Sequence, residues 1–178
     1  MSQPKPVPGP EPPAFTVRPA VAGDIRAIRA LAAPYVEQGR LVRKALVSYY
    51  ESLPDFRVAV TPDGVLVACG AIHVMWDDLG EVRTLAALPE WQHRGVGHAV
   101  LEALIERARQ LGLRRLFCLT FEVDFFARHG FEPIEGIPIE PWVYAELLHS
   151  KDDGVAEFLD LARVKPNTLG NTRMLLHL

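Results

Sequence analysis

Six residues, Gln92-His93-Arg94-Gly95-Val96-Gly97, stand between two segments of different period. Before them, Glu81 to Leu88 is an apolar, strand-like run; after them, His98 to Ala108 repeats its apolar residues as a helix does. A glycine-rich turn between a strand and a helix N-terminus is a place for an anion. Gly95 and Gly97 allow close approach of the backbone and conformations that a Cβ resists. The first N–H groups of a helix have no partner within it, and the helix dipole favours negative charge beside them. A pyrophosphate would satisfy those groups, with Gln92 and Arg94 as further donors. The spacing is not that of a P-loop, which continues into Lys-Ser or Lys-Thr, nor of the three-glycine dinucleotide fingerprint.

The elements that must hold this loop can be read along the chain. Prolines at 4, 6, 8, 10, 12 and 13 make residues 1–14 a disordered, extended tail. Phe15 to Arg18 alternates as a strand, and Asp24 is expected to cap a helix with the apolar face Ile25, Ile28, Leu31 and Ala32. A second helix is expected from about Arg43 to Leu53. Phe56–Val60 and Val65–Trp76 read as antiparallel strands around the turn Pro62-Asp63-Gly64. Gly112 closes the helix after the loop, and Arg114–Thr120 is the next strand. A short helix holds residues 125–129, ended by Gly130. Phe131–Ile134 and Arg173–Leu178 are the last strands, with helices near 142–148 and 155–161 between them. The order is α+β: a mixed, mostly antiparallel central sheet with helices on both faces.

Composition narrows the classes. The chain has 178 residues, 49% hydrophobic and 23% charged, which suits one domain with a sizeable core. A net charge of −3 gives no field for nucleic acid. No apolar run reaches membrane-spanning length and no apolar signal core opens the chain, so a cytoplasmic protein is expected. Cys69 and Cys118 lie in apolar runs and read as reduced core thiols, and the six histidines show no metal spacing, so no metal is expected.

The loop resembles the Q/R-x-x-G-x-G/A motif of the GCN5-related N-acetyltransferases. Three further places fit that family: Glu81 at the start of the preceding strand, Phe125-Phe126-Ala127-Arg128-His129-Gly130-Phe131 as its F-Y-x-x-x-G-F helix, and the alternating strand pair ending near His73-Val74-Met75. Segments 39–44, 69–73, 80–86 and 116–120 look like the acetyltransferase domain of N-acetylglutamate synthases. Residues 166–176 fit the short, stand-alone actinobacterial form, which lacks the amino-acid-kinase domain. The resemblance implies an N-acetyltransferase domain over residues 15–178. It implies acetyl transfer from acetyl-CoA, a co-substrate, to the α-amine of glutamate or glutamine, the first step of arginine biosynthesis. One departure stands out: the tyrosine of the F-Y-x-x-x-G-F helix is Phe126 here, so the usual general acid is missing.

The same resemblance distributes roles. Acetyl-CoA is expected along Leu85, Ala86 and Ala87, on Gln92, His93, Arg94, Gly95, Val96, Gly97 and His98, and beside Phe125 and Phe126. The backbone N–H of Leu85 would polarise the thioester oxygen. A bulge would splay this strand from the next. Glu81 would serve as general base for the α-ammonium, directly or through a water, or would simply pair with Arg83. His129 and Thr120 are candidate proton donors to the thiolate. The acceptor would be recognised through Arg43, Lys44, His73, Arg83, Thr120, Thr172 and Arg173, whose cations suit carboxylates. A small-molecule amino acid is thus the expected partner, with a homodimer left open. Two other readings stay open: acetylation of a peptide N-terminus, lysine or polyamine, and a non-catalytic acyl-CoA-binding module.

Overall fold

The computed structural model of the chain describes residues 14–178; the expected Pro-rich tail lies outside them except for its last residue. Seven strands form one sheet: β1 (Thr16–Pro19), β2 (Phe56–Val60), β3 (Leu66–Val74), β4 (Leu79–Ala87), β5 (Arg115–Thr120), β6 (Glu132–Pro133) and β7 (Thr172–His177). Their order is β1-β2-β3-β4-β5-β7-β6. β4 and β5 run parallel and every other pair is antiparallel. A parallel pair needs a crossover, here the loop and helix α3 (Val96–Gln110). The α+β expectation therefore holds, with the parallel step at the anion-loop segment.

The two faces of the sheet differ. On one, α3 lays Val96, Val100, Leu101, Leu104, Ile105 and Ala108 over Ile72, Val82, Leu116 and Met174. Leu101 and Leu104 are fully buried, which stabilises by roughly 1.5–3 kcal/mol per side chain. The other face carries two separate helix groups. Helices α1 (Ile25–Glu37) and α2 (Leu46–Glu51) cover β2 and β3 through Ile25, Ile28, Leu31 and Tyr49. Helices α5 (Pro141–Leu147) and α6 (Asp153–Phe158) cover β5 and β7 through Val143, Leu147 and Phe158. Between these groups, above β4, the covering residues are charged rather than apolar.

β4 is irregular where the site must lie. Cys69 pairs with Ala86 but Ala71 pairs with Arg83, so Gly70 faces two residues, Thr84 and Leu85. Thr84 takes the extra-residue conformation, with φ 52°. Gly70 is required there, since a Cβ would come within 2.9 Å of Leu85 Cδ1 and 2.8 Å of Leu104 Cδ1. β4 pairs with β5 only from Leu79 to Glu81, and the two strands part beyond Glu81. The expected bulge and splay are both present.

Several local expectations are corrected. Asp24 does not cap α1: its carboxylate turns back to accept the Val21 N–H at 2.8 Å and to pair with Arg18 at 2.6 Å. The second helix is shorter than expected and starts at Leu46, which leaves Arg43 and Lys44 on an extended connection. α3 begins at Val96, two residues early, so Gly97 lies inside its first turn. Gly97 has no positive φ and needs none; Gly95 does, at 79°. Helix α4 runs Val123–Ala127, two residues ahead of expectation. α6 starts at Asp153 behind an N-cap, Asp152, whose carboxylate accepts the Val155 N–H, and stops before Asp160, which has φ 55°. A short helix α7 (Lys165–Thr168) was not foreseen.

Candidate active site

The parting of β4 and β5 opens a cleft of about 570 Å³. Val82, Thr84, Leu85, Ala86 and Ala87 form one wall, Leu119, Thr120, Phe121 and Glu122 the other. The anion loop and the N-terminus of α3 close one end through Gln92, His93, Gly95, Val96, Gly97 and His98, while Phe125 and Phe126 of α4 face them. Every expected coenzyme residue except Arg94 lines this cleft. The Arg94 guanidinium instead lies over the Trp91 ring, 5.4 Å from its centroid. Gln92 lines the cleft but is already engaged: its Nε2 donates to the Tyr35 hydroxyl at 2.8 Å, and that hydroxyl donates to the Ala87 carbonyl. This chain of bonds ties α1, the loop and the end of β4 together.

Two more ties frame the cleft. Arg40, after α1, forms an ion pair with Glu122, after β5, and both line the cleft. His98 Nδ1 and His129 Nε2 lie 2.6 Å apart, so one ring donates and the other accepts. Burial, then the neighbouring His98, holds His129 below the usual histidine range. It is therefore a neutral support for the helix end, stacked with His98 and Phe125, and not part of the cleft wall. Phe126 is buried against Phe131 and brings no hydroxyl. Thr120 does: its Oγ1 accepts the Glu122 N–H at 2.8 Å, which leaves the O–H free to donate into the cleft.

Glu81 stands where the strands part, paired in register with Phe117. Its side chain is on the opposite face from Val82, in the charged seam between the two helix groups. It is 4% exposed, and its Oε2 accepts the Arg83 Nε–H at 2.5 Å. The rest of the Arg83 fork is taken by Asp152: Nη1 donates to Oδ2 at 3.0 Å and Nη2 to Oδ1. Burial would lower the Arg83 pKa, but Glu81 and Asp152 outweigh it and raise it. Burial would likewise raise Asp152, and its bonds to Arg83 outweigh that. Removing one partner of such a buried pair costs about 3–5 kcal/mol. His73 faces the same seam, its Nδ1 3.4 Å from Asp55 Oδ2 and its Nε2 4.0 Å from Asp152 Oδ2.

Lys44 and Glu157 complete the seam. Lys44 is half-buried and carries no ion pair among the described residues. Burial first, then Arg83, lowers its pKa, while Glu81, Asp152 and Glu157 raise it. Glu157, on α6, is pushed up to about 7 by burial and then by the charge of Glu81. The expected acceptor set is therefore split. Lys44, His73 and Arg83 meet in the seam and Thr120 lines the cleft. Arg43 is exposed on the connection before α2. Thr172 sits beside Thr120 in the sheet but not in the cleft wall. Arg173 is committed to the fold: Nη1 donates to the Gly136 carbonyl at 2.9 Å, Nη2 to that of Phe158, and the guanidinium lies over Phe117. Arg83 gives three of its five N–H donors to Glu81 and Asp152.

Tyr35, Arg40, Glu122, Asp152 and Glu157 escaped the sequence reading. An aspartate ahead of a helical stretch, as at Asp152, is the one local signal that could have pointed to the cap of α6. Its partner Arg83 lies 69 residues away, and no local pattern links them. Among the described residues no group of three or more His, Cys, Asp or Glu is arranged to hold a metal ion. No helix there is long and apolar enough to cross a membrane.

Comparison with known proteins agrees with this geometry. An amino-acid acetyltransferase of Mycobacterium tuberculosis is 52% identical over 162 residues, 90% of this chain and 92% of that one. The amino-acid acetyltransferase of Pseudomonas fluorescens is 38% identical over 68% of this chain, which spans only 29% of that protein. Among solved structures, Rv2747 from Mycobacterium tuberculosis in complex with CoA and NLQ superposes with a TM-score of 0.88 at 52% identity, covering 92% of this chain and 99% of that one. N-acetylglutamate synthase from Neisseria gonorrhoeae, complexed with coenzyme A and N-acetyl-glutamate, gives 0.74 at 25% identity, covering 94% of this chain and 36% of that one. Residues 25–131, more than half of the chain and the stretch that builds the cleft, match the acetyltransferase (GNAT) family, and the chain belongs to it.

Proposed function

We propose that this protein transfers the acetyl group of acetyl-CoA to the α-amine of glutamate or glutamine, as the first step of arginine biosynthesis in the cytoplasm. The observation that carries the reading is the adjoining of two sites at one point of β4: the splayed cleft on one side of Glu81 and the charged seam on the other. The names of the relatives, amino-acid acetyltransferase and N-acetylglutamate synthase, support the same substrates.

The residues divide the work. The α3 N-terminus and the left-handed Gly95 suit the coenzyme's pyrophosphate. The bulged Leu85–Ala87 edge suits the pantetheine arm, and the Leu85 N–H the thioester oxygen. Lys44 and His73 receive the acceptor's carboxylate, because Arg83 is already paired with Glu81 and Asp152. Glu81 accepts the proton of the α-ammonium. Thr120 is the hydroxyl in the cleft wall that can donate toward the departing thiolate, in place of the tyrosine that Phe126 replaces.

Thiol release from acetyl-CoA across the common amino acids tests this. Turnover should be confined to glutamate and glutamine, and decarboxylated analogues should be poor acceptors, since a buried cation would be left unpaired. Equal turnover of polyamines or peptide N-termini would overturn the amino-acid reading.

A further inference from the structure

One buried side chain has no task in the reaction as described. Glu157 is 6% exposed, and its carboxylate makes no hydrogen bond or ion pair among the described residues. Its place follows from the helix that bears it. A Cβ on Gly154 would collide with the Glu81 carboxylate and the Arg83 guanidinium, so that side of α6 rests directly on them. Residues three apart share a helix face, which turns Glu157 toward the same pair. Phe158 packs edge-on against Phe117 at 5.3 Å, and Phe117 is the register partner of Glu81. Two largely buried carboxylates thus share one seam, and only Glu81 has a cation bonded to it among the described residues.

We infer that Glu81 and Glu157 act as one proton-accepting pair for the acceptor's ammonium, in which Glu157 is a positioning residue that acts through Glu81. The inference rests on the acetyl-transfer reading above. Like charges in a poorly solvated site cannot both ionise cheaply, and the burden falls on the member without a bonded cation. Burial and Glu81 accordingly hold Glu157 near 7. The other charges acting on it are Arg83 of β4 and Asp152 and Asp153 at the start of α6. Lys44, on the connection before α2, feels Glu157 in turn, and His73 of β3 reaches the seam through Asp152. One Glu81 oxygen is committed to Arg83; the other is left for the proton.

The proton count closes. An N–H bond of the ammonium breaks and an O–H bond forms on the pair. The freed lone pair attacks the thioester carbon. The C–S bond breaks and its electrons leave on sulfur. A second N–H proton then goes to the thiolate, giving amide and thiol, and the pair returns its proton to solvent.

The test follows kcat/KM for the acceptor against pH in the wild type, E157Q and E157D, alongside an infrared titration of the protonated carboxyl band without substrates. The wild type should lose activity as pH falls through about 7, and the band should appear over the same range. E157Q should move the acidic limb down by about one pH unit or more, lower the plateau roughly 10-fold and lack the band. E157D should keep both limb and band. A folded E157Q that binds acetyl-CoA normally and keeps the wild-type limb would overturn the inference and leave the acetyl-transfer reading standing. A wild type that acetylates no amino acid would overturn both.

Discussion

Arg43, Lys44, His73, Arg83 and Arg173 were candidates for the acceptor's carboxylates, and what they already touch sorts three of them. Arg173 is bonded to two backbone carbonyls and Arg83 to two carboxylates, whereas Lys44 is half-buried with no ion pair among the described residues. Lys44→Ala should therefore raise KM for the amino acid about 10- to 100-fold, the loss of one charge-assisted bond, with KM for acetyl-CoA and stability nearly unchanged. Arg83→Ala should act differently: it strands Glu81 and Asp152 and should cost about 3–5 kcal/mol in a denaturant titration. Equal KM effects and equal stability for the two variants would return Arg83 to the acceptor site. The two loop glycines also part company. Gly95→Ala meets no atom but must hold φ 79°, at a cost of roughly 1–2 kcal/mol. Gly97→Ala places its methyl 3.5 Å from Phe125, an ordinary contact, and should leave stability unchanged. Thermal unfolding of both variants checks this. The strand-loop-helix of residues 92–97 was legible because its signals, two glycines between segments of different period, are local. For Arg83 only its type and neighbours could be read; its bonds to Asp152, 69 residues away, could not.

At the scale of elements, α6 decides how closed the seam is. It has six residues, too few to be a stable helix alone, and it is held by the Asp152 cap, the Arg83 bonds and Phe158. Gly154 is the point of contact with β4. Gly154→Ala improves helix propensity on paper, yet its methyl has no room beside Glu81 and Arg83. The expected result is a loss of about 1–3 kcal/mol with a parallel drop in kcat; a stabilised variant of unchanged activity would show that α6 does not press on Glu81. The strands and α3 could be read from the sequence because periodicity reports which face is buried. The insert between residues 134 and 172 could be read only as helices. Its role arises from contacts with β4 and β5, far off in sequence, and a polar residue such as Glu157 looks the same whether solvated or buried. Asp24 failed for a kindred reason: a helix-start aspartate can bond forward or backward, and Arg18 draws it back.

For the molecule as a whole, one sheet face is sealed by a continuous apolar layer, while the other leaves the seam where ionisable groups are buried. Folding stability should therefore depend on pH in two directions. Asp24, Asp78 and Asp152 lie below their ordinary value of 3.8; for Asp24 and Asp78 the leading cause is the arginine bonded to each, and for Asp152 the bonds to Arg83 exceed an opposing effect of burial. The stability they contribute is present above that value and is lost as pH falls through their folded values. Glu157 works the other way. Its folded pKa, about 7, is above the ordinary 4.5, so its contribution is complete below 4.5 and is lost as pH rises through 7. Glutamine at this position cannot ionise, so the difference between E157Q and the wild type isolates that one group. The two proteins should be matched within a few tenths of a kcal/mol near about pH 4, and E157Q should be the more stable by on the order of 3 kcal/mol near about pH 8. Denaturant midpoints at the two pH values read the difference directly. A gap of the same size at both would mean that Glu157 is solvated in the folded protein, and the shared-proton pair would lose its physical basis.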